Sequence, residues 1–309
     1  MSRFTKAERK KAKLRLALTG VSGCGKTYSA LRIATGMGGN IAVIDTEHDS
    51  SSLYASEFSF SSINLDNHSP ESYIKAIDDA ENEGFDIVII DSLSHVWTFC
   101  KNEVDVVASK SFKGNSWAAW SKVTPRYDAL IQRMIQSSVH VIVTMRAKTE
   151  TAQIEENGRK KVIKLGMKTE MRDGIEYEFT TVIDIDHSTN GAAVSKDRTH
   201  VFKGKENLPL DESIGQDLMA WLMGGIDEPL VDDNQLKALN NMMLTITHEG
   251  ALKKVKATYP DLSKIKAKDY EFVADKFHGL IEWQSSQQPP SQPIENQQPM
   301  ADSQQLEEQ

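Results

Sequence analysis

Gly20-Val21-Ser22-Gly23-Cys24-Gly25-Lys26-Thr27 spells G-x-x-x-x-G-K-T, a spacing that can wrap a polyphosphate. Glycine reaches backbone angles closed to other residues, so Gly20, Gly23 and Gly25 let successive N–H groups turn inward. The cradle opens onto the amino terminus of a helix, whose dipole favours negative charge. There the Lys26 ammonium reaches the β- and γ-phosphates, and the Thr27 hydroxyl joins the oxygen shell of a Mg²⁺ ion bridging them. The contact set is Gly20 through Thr27 with the following Tyr28, and the cofactors it calls for are ATP and Mg²⁺. ATP is read in preference to GTP because no N-K-x-D guanine-reading run is present.

Two further carboxylates could complete this chemistry. Phe85-Asp86-Ile87-Val88-Ile89-Ile90-Asp91 is a buried-strand run ending in an acid, which places Asp91 beside the phosphate loop as a metal-side ligand acting through water. Ser92 follows where many ATPases carry a water-polarising Glu, so hydrolysis needs an acid from another strand end. Glu47 ends the run Ile41-Ala42-Val43-Ile44-Asp45-Thr46-Glu47, and the carboxyl ends of such strands gather at one crevice of an open α/β sheet. Asp45 and Glu47 as plain surface-loop acids is the competing reading.

The elements that must hold these groups follow from hydropathy. Strand-like runs at Leu14 to Thr19, Ile41 to Thr46, Phe85 to Ile90, Val139 to Thr144 and Phe179 to Ile185 alternate with helical ones, which argues an α/β fold with a parallel, doubly wound sheet. Pro125 marks a helix start, with Leu130, Ile131, Met134 and Ile135 as its core stripe, and Trp117 and Trp120 just upstream are expected in the core. Beyond Trp221 and Leu222 helical spacing continues without strands. The expected order is a basic arm over 1–13, an ATP-binding core over 14–225, a small helical appendage over 226–283 and a Gln/Pro-rich disordered tail over 284–309.

Composition bounds the partners. The 309 residues hold 36 Lys and Arg against 44 Asp and Glu, a net charge of −8, so any contact with a polyanion must be local. One local cluster is Arg3, Lys6, Arg9, Lys10, Lys11, Lys13 and Arg15, an arm able to meet phosphates or a neighbouring subunit, or simply a solvated helix. Cys24 and Cys100 are the only cysteines, which excludes a disulfide framework and fits a reducing cytosol. No apolar run approaches the roughly 20 residues of a membrane span, so a cytoplasmic protein without a membrane partner is expected.

Ile44-Asp45-Thr46-Glu47-His48, followed by Leu53-Tyr54-Ala55, resembles the I-D-x-E-H stretch of the RecA family, whose Glu is the hydrolytic base. Lys6-Ala7-Glu8-Arg9, Gly20 to Tyr28, Met145 to Glu150, Arg172 to Phe179 and Ser195 to Arg198 look like bacteriophage AAA family ATPases with a RecA-type core, over roughly Phe4 to Leu222. The resemblance implies a RecA-like P-loop NTPase fold and a role in phage DNA recombination or replication in a bacterial host cytosol. Some members of that group are thought to anneal single strands beside a single-stranded-DNA-binding protein, so that protein is an implied partner. The resemblance also makes Thr144 the γ-phosphate sensor, although the family usually has an amide there. Lys196-Asp197-Arg198 resembles the K-x-R finger of hexameric helicases, whose cations reach the neighbouring subunit's γ-phosphate, implying a homo-oligomeric ring or filament. A cation so placed stabilises charge on the transferring phosphoryl group; the competing reading is a surface Lys and Arg beside a turn.

After Thr144 come Arg146, Lys148, the turn signal Asn157-Gly158, and Arg159, Lys160, Lys161 and Lys164. Asn-Gly between extended runs predicts a hairpin whose second strand is cationic. Such charge suits single-stranded DNA, but the hairpin carries no aromatic for stacking, and a solvated hairpin is the alternative. Three functions remain open: an Mg²⁺-dependent ATPase that binds or anneals single-stranded DNA, a P-loop small-molecule kinase, and a nucleotide-gated interaction protein with little turnover.

Overall fold

β-Branched and leucine-rich runs, apolar on both faces, form the centre of a mainly parallel sheet in the computed structural model, which describes residues 6–156, 159–187, 191–205 and 207–286, with the side chains of 149–167 outside the description. Contacts divide the chain into Met1–Ile226 and Asp227–Gln309. In the first unit the order is β1 (Arg15–Gly20), α1 (Lys26–Met37), β2 (Ile41–Asp45), β3 (Ser61–Asn64), α2 (Pro70–Asn82), β4 (Ile87–Asp91), α3 (Ser94–Ser111), α4 (Ser116–Gln136), β5 (His140–Glu156), β6 (Arg159–Thr169), β7 (Thr181–Ile185), β8 (Ala192–Asp197) and α5 (Glu212–Met223). The strands run β3-β2-β4-β5-β1-β7-β8, with β6 paired to β5 off this path. Every pairing from β3 to β7 is parallel. The doubly wound expectation holds there, while β8 closes the edge antiparallel to β7 and β6 folds back antiparallel along β5.

Alternate residues of each strand supply two cores, the period-two pattern of a sheet covered on both faces. Ala42, Ile44, Val88, Ile90, Val141 and Val143 pack under α2, α3 and α4. Leu16, Leu18, Val43, Ile87, Ile89 and Ile142 pack under α1 and α5. The carboxyl ends of β1, β2, β4 and β5 therefore emerge along one edge.

Several expectations are corrected. Helix α4 starts at Ser116, not at Pro125, and Asn115 caps it by accepting the Ala118 N–H at 3.2 Å. Pro125 lies inside the helix at the cost of one backbone hydrogen bond, because Ala119, Val123, Tyr127, Leu130, Ile131 and Met134 continue one buried stripe past it. Trp120 packs against the core and stacks on Trp97 at 5.3 Å, but Trp117 is 88% exposed. Arg15 is no part of a cationic arm: it is buried and its guanidinium donates to the carbonyls of Leu14, Val139, Ile135 and Ser137. Desolvation lowers its pKa to about 10. The chain before it is extended rather than helical, with Lys11 N–H donating to Ile226 O at 2.8 Å and Ile226 N–H to Arg9 O at 2.9 Å. Arg9 lies over the Trp221 ring.

The second unit holds α6 (Asp233–Thr245), α7 (Glu249–Thr258) and α8 (Tyr270–Ser286) around Leu239, Ile246, Val255, Val273 and Phe277. Its last helix takes in residues expected in the tail: Gln284 accepts the Thr247 N–H at 2.8 Å and donates to Thr245 O at 2.7 Å. From Gln287 the expected tail lies outside the described residues, as does the predicted turn at Asn157 and Gly158. Among the described residues no helix is long and apolar enough to cross a membrane.

Candidate nucleotide-binding site

β1 delivers Gly20 to the sheet edge and α1 begins at Lys26, so Val21 to Gly25 is the turn between a strand and a helix amino terminus. Gly23 and Gly25 sit at φ +78° and +84°, the left-handed region that favours glycine. Gly20 is needed for space: a Cβ there would lie 2.9 Å from Ile185 O and 2.4 Å from Cys24 Sγ. Lys26 Nζ bridges back across the loop, donating to Gly20 O at 3.1 Å and Val21 O at 2.8 Å, with Cys24 Sγ at 3.9 Å. Ser22 is exposed on the same turn. Tyr28, on the first turn of α1, points its hydroxyl to Glu57 at 3.1 Å and packs edge-on to Tyr54 and Phe58.

Asp91 is the hub. It is 2% exposed at the end of β4 and accepts Thr27 Oγ1–H on one carboxylate oxygen and Thr144 Oγ1–H on the other, each at 2.5 Å. Burial pushes its carboxyl above the ordinary carboxylate range, against the pull of the Thr144 and Thr27 hydroxyls. Thr27 and Asp91 thus share one point at the foot of the loop, and their hard oxygens suit Mg²⁺, which takes one or two carboxylates plus substrate phosphates. Among the described residues no group of three or more His, Cys, Asp or Glu side chains forms an all-protein cage. Thr144 touches Asp91, one strand removed from the loop.

Asp45 and Glu47 divide their work. Asp45 is 1% exposed and accepts the Glu47 and Ser51 N–H groups at 2.6 and 2.8 Å, so it shapes the loop that presents Glu47. Glu47 itself is half-buried, and its Oε1 accepts Arg146 Nε–H at 3.1 Å and Nη2–H at 2.9 Å. Arg146, expected on a DNA-facing segment, is thereby committed to Glu47, and its own N–H donates to Ser94 Oγ. Thr46 ties the ends of β2 and β4 together: its N–H donates to Asp91 O at 2.7 Å and its Oγ1 accepts Ser92 N–H at 2.8 Å. The peptide between Asp91 and Ser92 is cis.

Two histidines that sequence reasoning passed over stand beside this group. Thr46 Oγ1 lies 2.7 Å from His95 Nδ1, and His68 stacks on His95 at 4.9 Å. Burial lowers the pKa of both, helped by Arg146 at His95 and by His48 at His68. His95 stands four residues beyond Asp91, a spacing that could have flagged it; His68 carries no comparable signal.

The remaining expected residues lie elsewhere. Lys196 Nζ donates to Glu176 O at 2.8 Å and Tyr177 O at 2.6 Å, and Arg198 Nη2 to Tyr177 O at 3.0 Å. Lys196 pairs with Val182, which is level with Ala17 on β1, so it stands about 10 Å down the sheet from the phosphate loop at the rise of a strand. The structure does not bring Lys196 and Arg198 to their own chain's loop. Lys148 is exposed on β5, opposite Lys168. Arg159, Lys160, Lys161 and Lys164 occupy β6, antiparallel to β5, and their side chains lie outside the described residues.

A family model described as an AAA domain matches residues 12–209, which takes in the phosphate loop, Glu47, Asp91, Thr144 and the β5–β6 pair. No curated protein matches the chain.

Proposed function

The chain belongs to the AAA domain family of nucleotide-binding P-loop ATPases, and from that premise we propose a RecA-type, Mg²⁺-dependent ATPase that acts on single-stranded DNA in phage recombination or replication. The observation that carries the ATPase half is the Thr27–Asp91–Thr144 hydrogen-bonded set at the foot of a glycine loop, with Glu47 presented from the next strand end.

Lys26 and the loop N–H groups hold the β- and γ-phosphates, and Thr27 with Asp91 would hold Mg²⁺. When bound, the ion neutralises charge building on the transferring phosphoryl group. Glu47 takes the proton of the attacking water, since Ser92 offers no carboxylate. Thr144 leads along one continuous strand from Asp91 into the β5–β6 pair, and this supports coupling between nucleotide state and a DNA-facing hairpin. The distance of Lys196 and Arg198 from their own loop supports action on a neighbouring subunit's phosphates in a ring or filament. The Arg146–Glu47 ion pair favours a restrained basal rate, the feature shared with a nucleotide-gated protein of little turnover.

Steady-state ATP hydrolysis with and without single-stranded DNA tests the proposal. Stimulation by the DNA is the expected result. Phosphate transfer to an added small-molecule acceptor would mean a kinase, and binding without turnover under both conditions would leave only the gated reading.

A further inference from the structure

The most exposed large apolar side chain among the described residues is Trp117, at 88%, on the first turn of α4. It follows a tight left-handed turn in which Lys113 takes φ 52° and Gly114 φ 85°. From Val106 to Tyr127 the chain holds Lys110, Lys113, Lys122 and Arg126 and not one Asp or Glu, within a sequence of net charge −8. Lys110, Lys113 and Lys122 are exposed, and Lys122 lies 5.2 Å from the Phe112 ring centroid. Arg126 is taken up by Glu71 and Glu103. The acids that flank the stretch in sequence are Asp105 on α3 and Asp128 on α4, the latter paired with Arg172.

We propose that this turn, with Trp117 as its platform, is a contact for single-stranded DNA separate from the β5–β6 hairpin. An uncovered indole offers a face on which an unpaired base stacks, and the exposed lysines of the same stretch meet phosphates along the strand; single strands are held by this combination, whereas a duplex keeps its base faces internal. The hairpin has cations but no aromatic, so the turn supplies the stacking that the hairpin lacks. The inference rests on the single-stranded-DNA reading above.

The test is fluorescence anisotropy of a labelled oligothymidylate titrated with the full chain at several salt concentrations. Trp117→Ala weakens binding roughly tenfold, the scale of one lost stacked base, and Trp117→Phe retains most of the affinity. Replacing Lys110, Lys113 and Lys122 together by Gln lowers the slope of log K against log salt by about 2, at roughly 0.7 per phosphate contact on a single strand. ATP hydrolysis without DNA is unchanged in all of them. Wild-type binding that Trp117→Ala leaves untouched overturns this inference alone, as does a Trp117→Ala variant that loses self-association while keeping its DNA affinity. A wild-type chain that binds no oligonucleotide overturns both this inference and the function on which it rests.

Discussion

Arg146→Gln should raise the basal ATPase rate. In the structure a single carboxylate oxygen of Glu47 accepts two N–H bonds from Arg146, at 3.1 and 2.9 Å. The pair holds the carboxylate toward Arg146, and turning it onto the attacking water means breaking that hold. The pair is half solvated, with 42% of the Arg146 side chain and 30% of the Glu47 side chain exposed, so it is worth about 1 kcal/mol, the upper end for surface pairs. Removing that hold converts to about fivefold in rate. The assay is steady-state phosphate release at saturating Mg-ATP without DNA, where kcat rises about fivefold and KM stays put, because the Arg146 guanidinium bonds to Glu47 and its backbone, paired with Gly20, is kept by the substitution. DNA stimulation shrinks by the same factor if release of Glu47 is what DNA achieves. An unchanged kcat, or one that falls with nucleotide binding intact, would show that Arg146 does not restrain Glu47 and would refute the reasoning.

Glu47→Gln leaves Mg-ATP binding intact and lowers kcat by at least about 100-fold, the worth of a general base; near wild-type turnover removes the assignment. Thr144→Val keeps the volume but strips a hydrogen bond from the buried Asp91 carboxylate, costing about 2 kcal/mol and lowering Tm by roughly 5 °C for a domain of this size; an unchanged melting curve would mean that Asp91 finds another donor. His140 is buried at the head of β5, accepts the Leu14 N–H at 3.1 Å, and its pKa is lowered from 6.5 to about 4 by burial, then by Lys13 and Arg15 against Asp86. The unfolded chain therefore binds the extra proton first, so stability falls as pH drops from about 6.5 toward 4, by about 3 kcal/mol in all. His140→Gln, which keeps an acceptor for Leu14, flattens that loss in Tm measured from pH 7 to 4.5, and an equal acid slope would sink the assignment.

What could be read in advance was local. Eight consecutive residues carry the phosphate loop, and an apolar run ending in Asp91 marks the strand end beside it, because both signals repeat at short period. The place of Glu47 just past the end of β2 was legible for the same reason. Its partner was not: Arg146 is 99 residues away and meets Glu47 only because β2, β4 and β5 are neighbours in the sheet. Asp45 looked equivalent to Glu47 in sequence, yet two backbone amides claim it and make it a loop support. Pro125 read as a helix start since Pro is common there, but six buried positions on α4 outweigh one missing hydrogen bond. Trp117 and Trp120 are three residues apart, and only the rotation of α4 against Trp97 decides that one is packed and the other bare. Arg15 looked like one more cation of a basic run; the five hydrogen bonds that bury it come from carbonyls, four of them beyond residue 134.

Titration calorimetry of the full chain with Mg-ATP goes most directly to the claim that Gly20 to Thr27 holds a triphosphate beside Asp91. Wild type should give a saturable heat that Lys26→Ala abolishes while its melting temperature holds. A wild-type chain that yields no saturable heat, or a Lys26→Ala chain that binds as tightly, would contradict the account.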